Sequence, residues 1–409
     1  MLGLGGSPVT LADRRVVLFN WRDTANAEGG GSERYVENIA RGLVARGAHV
    51  TVFCAEHPGA PRDEWVEGVR FVRRGTKLAV YARGLLHLAT RRFGRVDLVV
   101  DVQNGLPFFT RLGTRAPVVV LVHHVHREQW PVVYPGLAGR FGWWVESRVA
   151  PRLYRRSQYV AVSRATREEL VGLGVDRSRI AVVHNGTDVE TPEDLPRSAV
   201  PTVCVVGRLV PHKRVEHAVD AVAELSADLP DLQLVVAGAG WWEEELRSYA
   251  RSRGVADRVH FEGFVDEHRK HEIYAASWVM ALPSLKEGWG LVVGEAGLHR
   301  TPTVAYAAAG GTRESVADGC SGLLVDDDPR LLTAALRRVL TDERLRASLG
   351  DGAHDLAHRY SWEASRESFA EVVSGALQGV RTSEVDPDDE PAPVLLGDAD
   401  PGDAPALSA

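Results

Sequence analysis

The chain has 409 residues, 44% of them hydrophobic, and a formal net charge of −7. This length predicts two domains of ordinary size, each with its own core. No hydrophobic run approaches the ~20 residues of a membrane-spanning helix, and residues 1–7 have neither a basic leader nor a continuous hydrophobic stretch. We therefore expect a cytoplasmic protein without a secretion signal.

Charge is distributed unevenly along the chain. Residues 1–190 contain 27 Lys and Arg against 18 Asp and Glu, residues 191–380 contain 20 against 29, and residues 381–409 contain 1 against 8. A basic first half could attract an anionic acceptor, or hold the protein peripherally at the inner face of a membrane through the arginines of residues 91–95 and 152–156. Alternatively, the basic and acidic halves attract each other across a cleft. We expect no nucleic-acid partner.

The three cysteines, Cys54, Cys204 and Cys320, are far apart and outside any metal-binding spacing. We interpret them as three buried thiols in a reducing compartment, with neither a disulfide framework nor a zinc site.

The first half alternates short Val-rich segments with amphipathic segments. This pattern predicts a mostly parallel sheet covered by helices on both faces, a Rossmann-like domain over residues 1–190. The predicted strands are Val16–Phe19, Val50–Phe53, Asp97–Val100, Val118–Val122 and Tyr159–Val162, and the first long helix runs from about Ser32 to Arg46.

The same pattern restarts after a polar, Pro-containing link at residues 190–201. It predicts a second Rossmann-like domain over residues 191–380, and the acidic, Pro-rich residues 381–409 are predicted to be a disordered tail. The predicted elements are strands Thr202–Val206, Gln233–Ala237, Val259–Phe261 and Trp278–Pro283, and helices near Val215–Ala227, Glu243–Arg253 and Leu291–His299. Ligands bind beyond the carboxyl ends of such strands, so the functional loops should meet in a cleft between the domains.

Two loops of the first half suggest a ligand site. Glycines at 29–31 follow the first strand and open the first long helix, so Gly30 and Gly31 allow a ligand to approach the backbone closely. The strand Val118–Val122 ends in His123 and His124, with His126 two residues further. Because these histidines alternate between faces of an extended strand and no carboxylate cluster accompanies them, we do not predict a metal site.

A basic loop follows the first strand of the second domain. It carries Arg208 and Lys213, and lysine is scarce here, with four among 48 basic residues. Two cations at the entrance to a helix would neutralise a diphosphate leaving group.

The segment Ser284–Glu295 is the most informative in the chain. Glu287 and Glu295 lie eight residues apart around a Gly-Trp-Gly turn, between a hydrophobic strand and a helix. Free backbone amides and the helix dipole at such a turn favour a diphosphate, and each carboxylate can accept hydrogen bonds from neighbouring sugar hydroxyls. Taken alone, the segment therefore predicts a sugar-nucleotide site or, alternatively, a solvated turn with two surface glutamates.

This segment resembles the E-x7-E signature of the retaining glycosyltransferases of family four, and other segments match in the family's order over residues 14–380. The resemblance implies a GT-B fold, with an acceptor domain first and a donor domain second. It implies that Glu287 and His123 face the donor hexose, with His124 as the alternative histidine, and that Glu295 faces the ribose. The other donor-binding positions that it implies are Gly30, Gly31, Arg208, Lys213, Val265, Gly288, Trp289, Gly290 and Leu291.

The resemblance implies a hexosyltransferase that needs no metal or other cofactor, with His123, Glu287, Arg208 and Lys213 acting in catalysis. The donor would be GDP-mannose or a UDP-hexose, and the acceptor a hydroxyl of a lipid-linked molecule, a glycan or a small molecule. At Arg214 the family commonly has glycine, which puts the conformation of the basic loop in question. Two other classes stay open at this point, a GT-B sugar-nucleotide epimerase and a non-catalytic nucleotide-sugar binding protein.

Overall fold

The computed structural model describes residues 10–188 and 195–383. Most of the predicted tail, from residue 384 onward, and part of the predicted link between the domains lie outside the described residues.

The first domain is built on an eight-stranded sheet. In sheet order the strands are β3-β4-β2-β1-β5-β6-β7-β8, and all neighbours are parallel except the antiparallel pair β3 and β4. The strands are β1 (Arg15–Phe19), β2 (His49–Cys54), β3 (Asp63–Val66), β4 (Val69–Arg73), β5 (Leu98–Gln103), β6 (Val118–Val122), β7 (Gln158–Ala161) and β8 (Ile180–Val182).

In the described part of the first half, six helices accompany this sheet. They are α1 (Gly31–Ala45), α2 (Ala79–Ala89), α3 (Gln129–Val133), α4 (Leu137–Trp144), α5 (Ala150–Leu153) and α6 (Arg164–Gly172). A π-helical turn at Val145–Val149 joins α4 and α5 into one helix, residues 137–153.

Both faces of the sheet are buried, as the Val-rich runs predict. In β1, Val16 and Leu18 belong to the core under α1, whereas Val17 and Phe19 belong to the core on the opposite face. Successive side chains of a strand point to opposite faces, so a hydrophobic strand without polar alternation needs cover on both sides.

The second domain has a six-stranded, entirely parallel sheet in the order β11-β10-β9-β12-β13-β14. Its strands are β9 (Thr202–Val206), β10 (Gln233–Ala237), β11 (Val259–Gly263), β12 (Val279–Leu282), β13 (Thr303–Tyr306) and β14 (Gly322–Val325). The helices of this half are α7 (Glu216–Leu225), α8 (Glu243–Ser252), α9 (Glu267–Ala276), α10 (Leu291–Leu298), α11 (Thr312–Ser315), α12 (Pro329–Thr341), α13 (Glu343–Arg359) and α14 (Trp362–Gln378). The predicted arrangement of two Rossmann-like domains is confirmed.

The last helix, α14, returns to the first domain. Its residues Trp362, Phe369 and Val373 are buried in the core that also contains Val16 and Tyr35. The predicted range 191–380 assigned this helix to the second domain. Periodicity predicts a helix and its hydrophobic face, but it does not say which sheet that face covers.

One prediction about the cysteines is wrong. Cys54 and Cys204 are buried, but Cys320 is exposed, because it lies in the turn before β14 rather than in a strand. Among residues 10–188 and 195–383, no helix is long and hydrophobic enough to cross a bilayer.

Candidate active site

The predicted loops lie where the strand order of each sheet reverses. In the second sheet β9 and β12 are neighbours, and the loops after them carry Arg208 and Glu287. In the first sheet β1 and β5 are neighbours, and the loop after β1 leads to Gly30. Such points in open α/β sheets leave a crevice at the carboxyl ends of the strands, where ligands bind.

Two helix N-termini meet between the domains. A Cβ added to Gly31, the first residue of α1, would lie 2.9 Å from Cδ1 of Leu291, the first residue of α10. The backbone amides of residues 288–291 donate no hydrogen bond to any residue that the structure describes. Unpaired amides and two helix dipoles directed at one place favour an anion such as a diphosphate.

Two glycines of this loop cannot carry a side chain. Gly290 has φ of 92° and ψ of 68°, a left-handed conformation that glycine adopts at no steric cost. A Cβ on Gly288 would lie 2.2 Å from the carbonyl oxygen of His123 in the first domain. Gly288 is therefore a point of close contact between the two domains.

The two predicted cations occupy different environments. Lys213 Nζ lies 2.5 Å from Glu287 Oε1, so these two predicted site residues form an ion pair. Arg208 lies across from the glycine loop, with its Nε 3.7 Å from the position of a Cβ on Gly30. Its guanidinium has no hydrogen-bond or carboxylate partner in the described part of the chain. Arg208 is thus a cation available to a bound anion.

Arg214 adopts a left-handed backbone conformation, which glycine adopts at no steric cost. It has φ of 50° and ψ of 40°, in the left-handed region, and its Nη1 lies 2.5 Å from Asp327 Oδ1. The loop therefore keeps the glycine-type backbone with arginine in place. The Arg214 guanidinium pairs with Asp327, whereas Glu287 pairs with Lys213.

His123 fits the hexose-facing role better than His124. Burial lowers the pKa of His123 to about 4, so its imidazole is neutral at pH 7. Its Nε2 is buried and has no hydrogen-bond partner among the described residues, whereas Nε2 of His124 lies 3.1 Å from Gln129 Oε1. An unpaired buried nitrogen costs free energy until a ligand satisfies it. The role of His123 nevertheless stays a prediction.

The third histidine of the cluster has a structural partner. His126 Nδ1 lies 3.1 Å from Oε1 of the fully buried Glu146, and the backbone N–H of His126 donates to the same oxygen. Within residues 10–188 and 195–383, no group of three or more His, Cys, Asp or Glu side chains is placed to hold a metal ion.

Glu295 lies in a polar cluster that joins the domains. Its Oε1 accepts from Arg34 Nη1 at 3.2 Å and from Lys270 Nζ at 3.0 Å, and its Oε2 accepts from the hydroxyl of Tyr274 at 2.8 Å. Arg34 also donates to Asp188 and Glu267. A ribose hydroxyl that approaches Glu295 would therefore meet a carboxylate already held in place by two cations.

Sequence reasoning missed Arg34 and Lys270. Arg34 lies on α1 one turn beyond Gly30, and no local pattern connects it with a carboxylate 261 residues away. Lys270 carried a weak signal, because lysine is scarce in this chain. Of the four lysines, Lys270 shares Glu295 with Arg34 of the first domain, Lys286 pairs with Glu169 of the first domain, and Lys213 pairs with Glu287.

Two further contacts across the junction were also missed. Lys286 is buried and pairs with Glu169 on α6. Glu314 accepts from the backbone N–H groups of Arg164 and Ala165 at 2.9 Å each, at the first turn of α6. Burial alone would raise the pKa of Glu314, but His184 and these two amides outweigh it and lower the pKa.

Trp289 and Val265 complete the predicted donor residues. The side chain of Trp289 is buried in the first domain's core, 4.8 Å from the ring of His184, so only its backbone amide can reach a donor. Val265 follows β11 and packs its half-buried side chain against the second domain's core. These placements agree with main-chain contacts at both positions, and the roles themselves stay predictions.

Comparison with known proteins identifies the chain's relatives. The protein family described as "Glycosyltransferase Family 4" matches residues 29–191, and the family described as "Glycosyl transferases group 1" matches residues 190–355. A D-inositol 3-phosphate glycosyltransferase of a Nocardioides species is 31% identical over 90% of this chain and 91% of the relative. One from Kineococcus radiotolerans is 31% identical over 86% of this chain and 92% of the relative.

Solved structures share the same architecture. Sucrose-phosphate synthase from Thermosynechococcus elongatus has a TM-score of 0.76 at 20% identity and covers 89% of this chain and 99% of its own. WaaG, a glycosyltransferase involved in lipopolysaccharide biosynthesis, has a TM-score of 0.72 at 18% identity and covers 88% of this chain and 100% of its own. At these identities the solved structures show the fold alone. The two family matches and the relatives covered over most of their length establish that the chain is an enzyme of glycosyltransferase family 4, and the solved structures show that it has the GT-B fold.

Proposed function

We propose that the enzyme transfers a hexose from GDP-mannose or a UDP-hexose to a hydroxyl acceptor, with retention of configuration at the anomeric carbon. The observation that carries the proposal is the placement of Glu287 and Glu295 on either side of the α10 N-terminus, whose free amides face the glycine loop of the other domain. A carboxylate for the hexose, one for the ribose and an anion site between them match the three parts of a nucleotide diphosphate sugar.

In this proposal the diphosphate binds at the amides of residues 288–291 and receives charge stabilisation from Arg208 and Lys213. Lys213 has three N–H donors, so it can keep its ion pair with Glu287 and still donate a hydrogen bond to a phosphate oxygen. During transfer the acceptor oxygen bonds to the anomeric carbon, the bond from that carbon to the diphosphate breaks, and the leaving phosphate takes the acceptor's proton. Glu287 and neutral His123 orient the hexose. Stabilising the charge that develops on the leaving group lowers the barrier.

We propose a polyhydroxy acceptor, with a phosphorylated polyol, a glycan and a lipid-linked sugar as the compounds to test. The related enzymes are D-inositol 3-phosphate glycosyltransferases by name. The first 190 residues of this chain have nine more basic than acidic residues, by the counts of 27 and 18. An anionic acceptor fits that charge.

A thermal-shift screen against UDP-, GDP-, ADP- and dTDP-sugars tests the donor site. A ligand that binds only the folded protein, and is present at a free concentration of 100 times its Kd, stabilises the protein by about 2.7 kcal/mol. We expect one nucleotide series to raise the Tm, and Glu295→Gln to lose most of that shift. Glu262→Gln, which changes a carboxylate of β11 that pairs with Arg269, is the matched control. No shift with any nucleotide, or an equal shift in Glu295→Gln, would contradict the proposed site.

We also propose that transfer needs no metal ion, since Arg208, Lys213 and the backbone amides supply the positive charge. After exhaustive dialysis against EDTA, the rate of donor turnover should equal that of the untreated enzyme. A rate that falls and returns on adding Mg²⁺ or Mn²⁺ would show that a metal carries part of the diphosphate charge.

A further inference from the structure

The first domain exposes a strip of large hydrophobic side chains beside its active-site histidines. Leu137, Phe141 and Trp144 follow at spacings of four and three along helix 137–153, so they lie on one face. Their exposed fractions are 79%, 61% and 53%, and the rings of Phe141 and Trp144 lie 5.8 Å apart. Val132, Val133 and Tyr134 of the preceding α3 segment are also exposed. Contiguous exposed hydrophobic side chains mark interaction surfaces.

The same helix ends in arginines. Arg148 and Arg152 are exposed, and Arg155 and Arg156 follow directly. Residues 127–156 contain six Arg and two Glu, and one of these, Glu146, is fully buried. Among the described residues, none of the six arginines pairs with a carboxylate. The strip is therefore hydrophobic at its start and positively charged at its end, without local neutralisation.

Glu146 connects this surface with the active site. Its two carboxylate oxygens accept from the ring and backbone of His126 and from Nε1 of Trp130 on α3, the last at 2.6 Å. The ring of His126 lies 4.2 Å from that of His124. The buried side of helix 137–153 is thus connected through Glu146 to the histidine loop that follows β6.

We propose that helix 137–153 docks on an anionic phospholipid bilayer, with Leu137, Phe141 and Trp144 entering the headgroup region and Arg148 and Arg152 contacting lipid phosphates. Exposed aromatic and aliphatic side chains beside unpaired arginines match the surface of an anionic bilayer, where hydrophobic acyl chains lie beneath negatively charged headgroups. A second copy of the chain that docked through the same surface would present the same positive charge, so this symmetric contact is disfavoured. The proposal goes beyond the proposed transfer reaction and does not depend on the identity of the donor.

Co-sedimentation with vesicles of phosphatidylcholine, with and without phosphatidylglycerol, tests this docking. We expect the protein to sediment with the anionic vesicles only, and less at high salt, because salt screens the arginines. Arg148→Gln with Arg152→Gln should weaken binding about 25-fold, at about fivefold for each arginine. Phe141→Ser with Trp144→Ser should weaken it roughly tenfold or more.

Trp65→Ser is the matched control, since Trp65 is 67% exposed on the edge strand β3, outside this surface. It should bind vesicles like the parent protein. The Tm of each variant without donor reports folding, and the rise in Tm on adding donor reports donor binding. A failure of docking is therefore distinguishable from a failure of the proposed function. A parent protein that does not sediment with anionic vesicles, or double variants that sediment as it does, would overturn the proposal. So would a dimer in light scattering that Phe141→Ser with Trp144→Ser converts to a monomer.

Discussion

Replacing Arg208 by glutamine should lower kcat by about 100- to 1,000-fold, the usual loss when one preorganised donor to a developing negative charge is removed. Arg208 faces the anion site and has no side-chain partner among the residues that the structure describes. Desolvation by the surrounding protein lowers its pKa, although the side chain still contacts solvent in the cleft. Because the guanidinium has no hydrogen-bond or ion-pair partner among the described residues, the Tm without donor should change little.

Steady-state kinetics on Arg208→Gln and Arg214→Gln measure this effect. Arg214 lies in the same loop and loses the same charge on substitution, but its guanidinium pairs with Asp327. We expect near-parent kcat for Arg214→Gln, within about threefold, since surface ion pairs contribute little. If both variants lose activity equally, the loss comes from the net charge of the loop and Arg208 has no special role.

Replacing Gly288 by alanine should abolish most of the activity. The new Cβ would lie 2.2 Å from the carbonyl oxygen of His123, and Thr166 Oγ1 already donates to that oxygen at 3.0 Å, which fixes its position. The two domains must separate by about 1 Å to accommodate the methyl group. Because a displacement of about 1 Å at reacting groups can cost about 100-fold in rate, we expect kcat/KM to fall by at least about 100-fold.

Activity measurements should be paired with small-angle scattering on the same samples. Gly288→Ala should show a larger radius of gyration than the parent, because the added atom prevents the close contact of the domains. Gly172→Ala is the control, since nothing lies within 4 Å of a Cβ at Gly172, near the end of α6. A Gly288→Ala enzyme with parent-like kcat/KM would mean that the approach of Gly288 to His123 is not required in the reactive state.

The predictions that succeeded share a physical basis in local chain chemistry. The Val-rich strands β1, β6 and β9 were predicted because strands buried on both faces need continuous hydrophobic runs. The placement of Glu287 beside the α10 N-terminus follows from a strand, a glycine turn and a helix in immediate succession.

The features that sequence reasoning missed depend on distant parts of the chain. The β3 and β4 hairpin was not predicted, because its outer strand lies exposed at the sheet edge and has no hydrophobic run. The ring of Trp289 packs in a core shared with β1 and α14, and no local pattern shows this, whereas its role in donor binding stays a prediction. Cys320 looked like any other hydrophobic thiol, and its exposure follows from a turn that composition does not reveal.

The sequence by itself determined the two α/β domains, the family and the chemical character of the donor loop, since each depends on hydrophobic period, glycine placement and the spacing of Glu287 and Glu295. Only the tertiary structure decided that Arg34 and Lys270 hold Glu295, that α14 covers the first sheet, and that the exposed hydrophobic residues of helix 137–153 lie together with unpaired arginines. Local patterns report which side of an element is hydrophobic. Which charge meets which carboxylate, and which face stays uncovered, depends on how distant elements pack, and neither is encoded within one segment.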